Sequence, residues 1–485
     1  MSPPATLTEL QARYGARYRW LLLLAVMIGA MAAITSSTII NVAVPDMSRH
    51  FVLGQERAQW VSSGFMVAMT VSMLTTPWLL GRWGYRRTYA ATMWLMLAGG
   101  VAGGLTNDYA LVLAARVLEG LAAGVVQPIP AIIILRAFAP HEQGRASGIF
   151  GMGVVLAPAL GPSIGGVLVD WFGWRSIFFM VIPFCLLSLW LARRFVPTTA
   201  PGGATPGRDS AALDWAGLLL AAAGTLCLLN GLVQWHAGAA LPATLLLAGA
   251  LLLLATFWWR AHQLGRRAGS SPAPLLNLAL FASRPFAMGS IVAFIYGMAL
   301  FGSTYLIPVF MQIGLGLSAS YVGTILLPAG LVLAATIALA GRLADRYPAH
   351  VLVSTGVALL AASFALMGLV DSGTAIALLI TLAVLGRIGL GFILPSLNLG
   401  AMRGLPPALI PQGASAINFI RMLGGAVGVS LCGIVLEWRL AAHGARLHDP
   451  LGGAQRLAAF DEAFLLLGAL CALALGAAWR LRLKE

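Results

Sequence analysis

A 485-residue chain that is 59% hydrophobic and only 9% charged, with a mean hydropathy of +0.88, has too few polar side chains to cover a water-soluble surface; soluble domains are roughly 25% charged. Its net charge of +14 rests on arginine, Lys484 being the only lysine among 30 basic residues, and most of the arginines sit in short loops beside apolar runs, with no basic patch of interleaved aromatics. Nucleic-acid binding is thereby excluded as the source of the charge, a β-barrel by the absence of ~10-residue alternating segments, and a polytopic α-helical membrane protein is left.

Membrane spans are predicted near 20–44, 58–80, 89–106, 109–135, 146–168, 177–196, 214–235, 241–259, 286–311, 318–341, 350–370, 374–400, 414–436 and 460–480, fourteen in all. Arg13, Arg17 and Arg19 precede the first, which is too long for a cleaved leader and is expected to remain as a helix. The fifth holds Gly153 to Gly166, with four glycines and two prolines in an apolar run. In lipid such residues let neighbouring helices approach, Gly161 and Gly165 making a small-residue face and Pro158 and Pro162 a bend. A Pro/Gly-rich stretch, Pro197 to Asp209, reads as a linker into spans 7 and 8. The segment from Arg439 to Arg456 is the longest outer loop, either simply solvated or able to meet a periplasmic adaptor. Cys185, Cys227, Cys432 and Cys471 all fall in apolar segments and show no metal or redox spacing.

Alternate loops counted from the N-terminus hold 21 basic residues and the remaining loops 6. This asymmetry predicts an even number of spans and cytoplasmic termini. An internal repeat is also visible. Gly81-Arg-Trp-Gly-Tyr-Arg-Arg87 follows span 2 and Gly341-Arg-Leu-Ala-Asp-Arg-Tyr347 follows span 10. Arg116 and Gly120 in span 4 match Arg387 and Gly391 in span 12, and Gln143-Gly144 matches Gln412-Gly413. The repeat predicts two like-oriented six-helix halves, 1–197 and 284–485, with a linker, an inserted helix pair and a cytoplasmic loop over 198–283.

Glu119 is the one acid placed mid-span, three residues after Arg116 on the same helical face. A charge near the bilayer centre costs from ~3 to over 10 kcal/mol, which makes this pair a candidate proton-linked site, a structural ion pair being the plainer reading. Arg387 and Arg421 could meet an anionic substrate or form helix-packing hydrogen bonds. Asn41, Gln127, Asn398 and Asn418 are polar groups able to line a cavity, and Tyr296, Phe301 and Tyr305 could stack on aromatic ligands or pack within the bundle. Arg82, Gly84, Arg86 and Arg87, with Gly341, Arg342, Asp345 and Arg346, form the two candidate gating loops; Asp345, close to Arg342 and Arg346, is the better switch candidate, since an acid at a helix N-terminus also gains from the dipole. No histidine lies deep in a span, and no catalytic triad, phosphate loop or metal cluster is present, which argues against an enzyme or an ATP-driven pump.

The chain resembles the major facilitator superfamily, in particular its fourteen-helix drug:proton antiporter branch. The antiporter motif of that branch is matched in span 5 by Gly148, Gly161-Pro162 and Gly165-Gly166, with Ala157 in place of one glycine. Trp174-Arg175-Ser-Ile-Phe178 with Pro183, and Asn418-Phe-Ile-Arg421-Met-Leu-Gly424-Gly425, match as well. Two positions depart: Gly81 stands where the first gating loop usually has Asp, and Ser36, two residues before Thr38-Ile-Ile-Asn41-Val-Ala, stands where span 1 usually has Asp. The resemblance implies a secondary transporter of a bacterial inner membrane that exports small amphipathic or hydrophobic compounds against inward proton flow, with no bound cofactor. Its expected partners are the lipid bilayer, protons and a small-molecule substrate. Glu119 is then expected to replace the missing acid, with Ser36 lining the cavity. Uptake, lipid movement between leaflets and a non-transporting sensor or scaffold are the alternatives, the last disfavoured by the intact repeat and the buried acid.

Overall fold

The computed structural model describes residues 6–53, 55–198, 212–236, 238–266, 272–371, 373–444 and 454–482; of 55, 56, 59, 157–163, 236, 319, 320 and 454 it describes the backbone alone. Residues 199–209 of the predicted linker and 445–453 of the predicted outer loop lie outside the described residues, as do the side chains of Ala157, Gly161 and Pro162 in the antiporter motif. Every regular element among the described residues is helical. In chain order the helices are α1 (Leu7–Tyr14), α2 (Tyr18–His50), α3 (Gln55–Ser72), α4 (Thr76–Leu105), α5 (Tyr109–Val126), α6 (Ile129–Ala137), α7 (Gln143–Phe172), α8 (Ser176–Phe195), α9 (Trp215–His236), α10 (Ala240–Arg266), α11 (Arg284–Val309), α12 (Ala319–Ala344), α13 (Ala349–Met367), α14 (Ile376–Met402), α15 (Ile410–Ala442) and α16 (Ala454–Trp479).

Twelve helical stretches among the described residues are long and apolar enough to cross a membrane. One of them, Trp60–Leu105, has 46 residues, about twice what a ~30 Å hydrocarbon core requires. It folds back at Gly84, whose φ of 77° and ψ of 172° leave the helical region. Only glycine adopts that conformation without strain. The Thr88 hydroxyl donates to the Leu79 carbonyl at 3.0 Å and ties the two arms together across the turn.

Other boundaries differ from the hydropathy reading for local reasons. The predicted span 109–135 is two helices, α5 and α6, parted at Gln127 and Pro128. Pro128 and Pro130 each lack an N–H, so the ladder cannot run through. A short helix, α1, precedes the first span. Its start is closed by a capping box in which Thr6 and Glu9 each accept from the other's backbone N–H. Asp345 is not at a helix N-terminus. It follows the last turn of α12, and the turn after it closes when the N–H groups of Arg346 and Tyr347 donate to the Leu343 carbonyl. The dipole there opposes a carboxylate, so the expected dipole stabilisation does not apply.

The chain forms two compact units, Met1–Ala222 with Phe257–Leu278 and Pro406–Phe419, and Ala223–Thr256 with Ala279–Leu405 and Ile420–Glu485. In the first, α2 packs on α3, α5, α7 and α8, and α4 packs on α5 and α8. Small residues set these distances. A Cβ on Gly120 would come within 2.4 Å of the Phe65 carbonyl oxygen, and one on Gly165 within 2.5 Å of Ile39 Cγ1. Tyr89 of α4 reaches across to α2 and α8, donating to the Ala25 carbonyl at 3.0 Å and sharing a 2.7 Å hydrogen bond with the Ser188 hydroxyl. Asp214 also belongs to this unit; it accepts from the Gly217 N–H at 2.9 Å and from Arg260 Nε at 2.8 Å, joining the start of α9 to the end of α10. In the second unit α14 is central, packed on α11, α12 and α13, and α16 packs on α11 and α13. Here the closest approach is between α11 and α15, where a Cβ on Gly297 would lie 1.9 Å from the Arg421 carbonyl oxygen.

Replacing Gly84 by Ala forces a side chain into a backbone region that L residues avoid, at a cost of about 1–3 kcal/mol. The expected result is a lowered melting temperature of the purified protein in detergent, read by thermal shift; an unchanged melting temperature would show that the turn can relax.

Candidate functional site

The best-defined polar centre lies in the first unit, where α2, α3, α4 and α5 meet. α5 starts cleanly because Asp108 accepts from the N–H groups of Ala110 at 2.7 Å and Leu111 at 3.4 Å. From that start the helix turns Arg116 and Glu119 to its buried face, at 1% and 0% exposure. The two side chains form an ion pair between Arg116 Nη1 and Glu119 Oε2. Arg116 is further held by α2 and α3. Its Nη1 donates to the Ser36 hydroxyl at 2.7 Å, its Nη2 to the Ser36 carbonyl at 3.1 Å and its Nε to the Val61 carbonyl at 3.2 Å. The guanidinium carbon lies 4.2 Å from the centre of the Phe65 ring, a cation–π contact. Ser36 completes the centre by donating to Glu119 Oε2 at 3.2 Å.

The two carboxylate oxygens of Glu119 are thus unlike. Oε2 is held by a cation and a hydroxyl, whereas Oε1 is buried with no hydrogen-bond partner among the described residues. A Cβ on Gly100 would lie 3.5 Å from Oε1, and one on Gly99 2.6 Å from Glu119 Cγ. The adjacent glycines of α4 therefore make the space the carboxylate occupies. Such an oxygen can take a proton without first breaking a hydrogen bond.

The structure brings Ser36, Arg116 and Glu119 together, and Ser36 is the position where the resembling branch carries its acid. It separates them from other candidates on the same unit. Asn41 lies on a different face of α2, exposed, and accepts from the Ser62 hydroxyl at 2.8 Å. Gln127 is half-buried at the end of α5. In the antiporter motif Gly148 and Gly165 are buried, and Gly166 has open space where a Cβ would be. In the first gating loop Gly84 is buried, Arg86 half-buried, and Arg82 and Arg87 exposed; in the second, Gly341 is buried, Asp345 half-buried, and Arg342 and Arg346 exposed.

The second unit gathers Tyr296, Arg387 and Arg421 at mid-helix in α11, α14 and α15, with Tyr296 in electrostatic range of both arginines. Tyr305 lies farther along α11, half-buried, in electrostatic range of Glu437 and Cys432 instead. Asn398 is half-buried on α14. Asn418 lies in the part of α15 that belongs to the first unit, is buried, and donates to the Ala414 carbonyl of its own helix at 2.8 Å.

Val61, Phe65, Gly99 and Gly100 were not legible as site residues. The glycine pair left a signal, since Gly99-Gly100 and Gly103-Gly104 stand one turn apart on α4. Val61 contributes only its carbonyl and Phe65 only its ring face, which a sequence does not mark.

Comparison with known proteins agrees with this architecture. Residues 26–429 match the Major Facilitator Superfamily. Among curated proteins, the multidrug resistance protein B homolog of Mycobacterium tuberculosis (strain ATCC 25618 / H37Rv) is 28% identical, over 88% of this chain and 79% of that one. The riboflavin transporter RibZ of Clostridioides difficile (strain 630) is 25% identical, over 85% of this chain and 87% of that one. Among solved structures, the proton:xylose symporter XylE superposes with a TM-score of 0.66 at 14% identity, covering 96% of each chain, a likeness of fold alone. With a match that takes in most of its helices, the chain belongs to the major facilitator superfamily of membrane transporters.

Proposed function

We propose that this transporter is a proton-coupled antiporter that exports small amphipathic or hydrophobic compounds by alternating access. The observation that carries the reading is the buried Glu119 carboxylate, one oxygen engaged by Arg116 and Ser36 and the other open. Ionised, it completes a network spanning α2, α3 and α5. Protonated at Oε1, it loses its charge and with it most of its attraction to Arg116, which keeps the Ser36 and Val61 carbonyls and the Phe65 face. Proton gain and loss at this one atom thereby alter the contact between three helices. Coupling requires that proton and substrate each prefer different states of the protein.

The same reading takes the helices as fourteen crossings, with Trp60–Leu105 counted as two and α7 as one, and α9–α10 as a pair inserted between halves 1–197 and 284–485. In the α9 and α10 stretches only 28% and 17% of the most apolar window is buried, the lowest shares among the candidate spans, as a peripheral pair would have. Arginine asymmetry supports cytoplasmic termini, and the bacterial relatives support a bacterial inner membrane. The proton gradient is the energy source and no cofactor is invoked. The relative named as a riboflavin transporter favours a second reading, uptake by the same fold; right-side-out and inside-out vesicles separate the two directions.

Three variants test the proposal in proteoliposomes with an imposed pH gradient and a panel of cationic, anionic and neutral amphipathic dyes. Glu119→Gln should reduce gradient-driven export to its gradient-free level while dye exchange persists; export with full gradient dependence would sink the proton assignment. Adding Ser36→Asp to Glu119→Gln returns an acid to the same centre from α2 and should restore part of the gradient dependence. Gly165→Leu drives a side chain into Ile39 and should abolish transport with normal membrane insertion, whereas normal export would remove α7–α2 packing from the mechanism.

A further inference from the structure

The internal repeat makes Arg387 the second-half counterpart of Arg116, and the two differ in what neutralises them. Arg116 has Glu119 three residues on; Arg387 has Leu390, a buried leucine. The acids of the second unit among the described residues are Asp345, Asp371, Glu437, Asp461 and Glu462. Asp345 and Asp371 follow helix ends, Asp461 and Glu462 lie in the first turns of α16, and Glu437 is sixteen residues beyond Arg421 on α15, ~24 Å along the axis. No carboxylate on these helices stands at the depth of Arg387 and Arg421.

Arg387 itself makes no hydrogen bond or ion pair among the described residues. Its nitrogens are not sealed off either: the side chain is half-buried and none of its atoms is among the buried unpartnered ones. For a guanidinium at mid-membrane depth that is neither paired nor enclosed, facing lipid would cost several kcal/mol, which favours an opening on polar space over one on lipid. Tyr296, 3% exposed, brings a phenol within electrostatic range of both guanidiniums. Arg421 has further polar contacts of its own, and the close α11–α15 approach at Gly297 fixes its backbone one residue from Tyr296. Asn398 is eleven residues beyond Arg387 on α14, within about 20° of the same face at 100° per residue.

We propose that Arg387, Arg421 and Tyr296 form an anion subsite that takes the carboxylate of an amphipathic organic substrate. This rests on the exporter reading for its role, though not for the binding itself. A guanidinium presents paired N–H donors that match a carboxylate, and a second cation with a phenol adds charge and a further hydrogen bond. The apolar remainder of the ligand has aromatic surface near at hand, since the Phe301 ring packs against Gly425 one turn beyond Arg421.

Fluorescein and rhodamine 123 present an anion and a cation on one xanthene frame. Their binding to the full-length protein in detergent is measured by equilibrium dialysis. The expected result is binding of fluorescein in preference to rhodamine 123. Arg387→Gln should weaken fluorescein binding about tenfold or more, as expected for loss of a charge-assisted hydrogen bond. Arg387→Lys should retain part of it, and Tyr296→Phe should lower it less than Arg387→Gln. Melting temperatures of the variants identify any that fail to fold, and Arg387→Lys then carries the test. Fluorescein binding unchanged in a folded Arg387→Gln variant would overturn the subsite, as would preference for the cation. Displacement of fluorescein by phosphatidylglycerol, but not by phosphatidylcholine, would also overturn it by assigning the site to a lipid headgroup. Fluorescein binding is read at equilibrium with no pH gradient and export with one, so failure of proton coupling and failure of the subsite are read separately.

Discussion

A guanidinium buried at membrane depth has to be met by acceptors from several helices at once, and the first unit is organised around that demand. Arg116 draws on Ser36 from α2, the Val61 carbonyl and Phe65 ring from α3, and Glu119 from its own helix. None of these acceptors could be given up cheaply, because a lost partner leaves a charge stranded where water does not reach. The arginine consequently holds α2 and α3 at a fixed distance from α5. Glycine then does the rest, at Gly120 against α3 and at Gly99 and Gly100 against α5, where any larger residue would prise the helices apart.

Much of the fold could be read from hydropathy because lipid admits few alternatives to a helix of about twenty apolar residues. What hydropathy missed came from single backbone positions. The fold-back at Gly84 depends on one φ angle, and the division between α5 and α6 on two prolines that an apolar average passes over. Asp345 was misplaced because its loop is closed by backbone N–H groups and not by the start of the next helix. At the site, Arg116 and Glu119 were legible from their spacing of three residues, which any helix turns into contact. Ser36 gained meaning only from its place in a resembling motif. Phe65, Val61 and the glycine pair became visible only when four helices were assembled, since their contributions are a ring face, a carbonyl and an absence of side chain.

Arg116 and Arg387 occupy like positions in the repeat read from the sequence, and their surroundings differ. Arg116 is held by acceptors from α2, α3 and its own helix, whereas Arg387 has Leu390 three residues on and lies within electrostatic range of Tyr296. One position in the two like stretches, Glu119 against Leu390, makes them chemically unequal. A buried acid beside one arginine and a leucine at the matching place beside the other are the kind of asymmetry on which the proposed separate handling of a proton and a solute rests.

The open oxygen of Glu119 also has a direction. Oε2 is turned to α2 and covered, while Oε1 is turned to α4, where Gly100 has only hydrogen to present. That glycine sits between the carboxylate and the Phe178 carbonyl, which a Cβ would approach to 3.0 Å. Oε1 thus faces the seam between α4 and α8, where a side chain at residue 100 would crowd both the carboxylate and the Phe178 carbonyl. Its smallness serves two ends at once: the same missing methyl group that lets two helices close leaves room beside a carboxylate oxygen that nothing else covers.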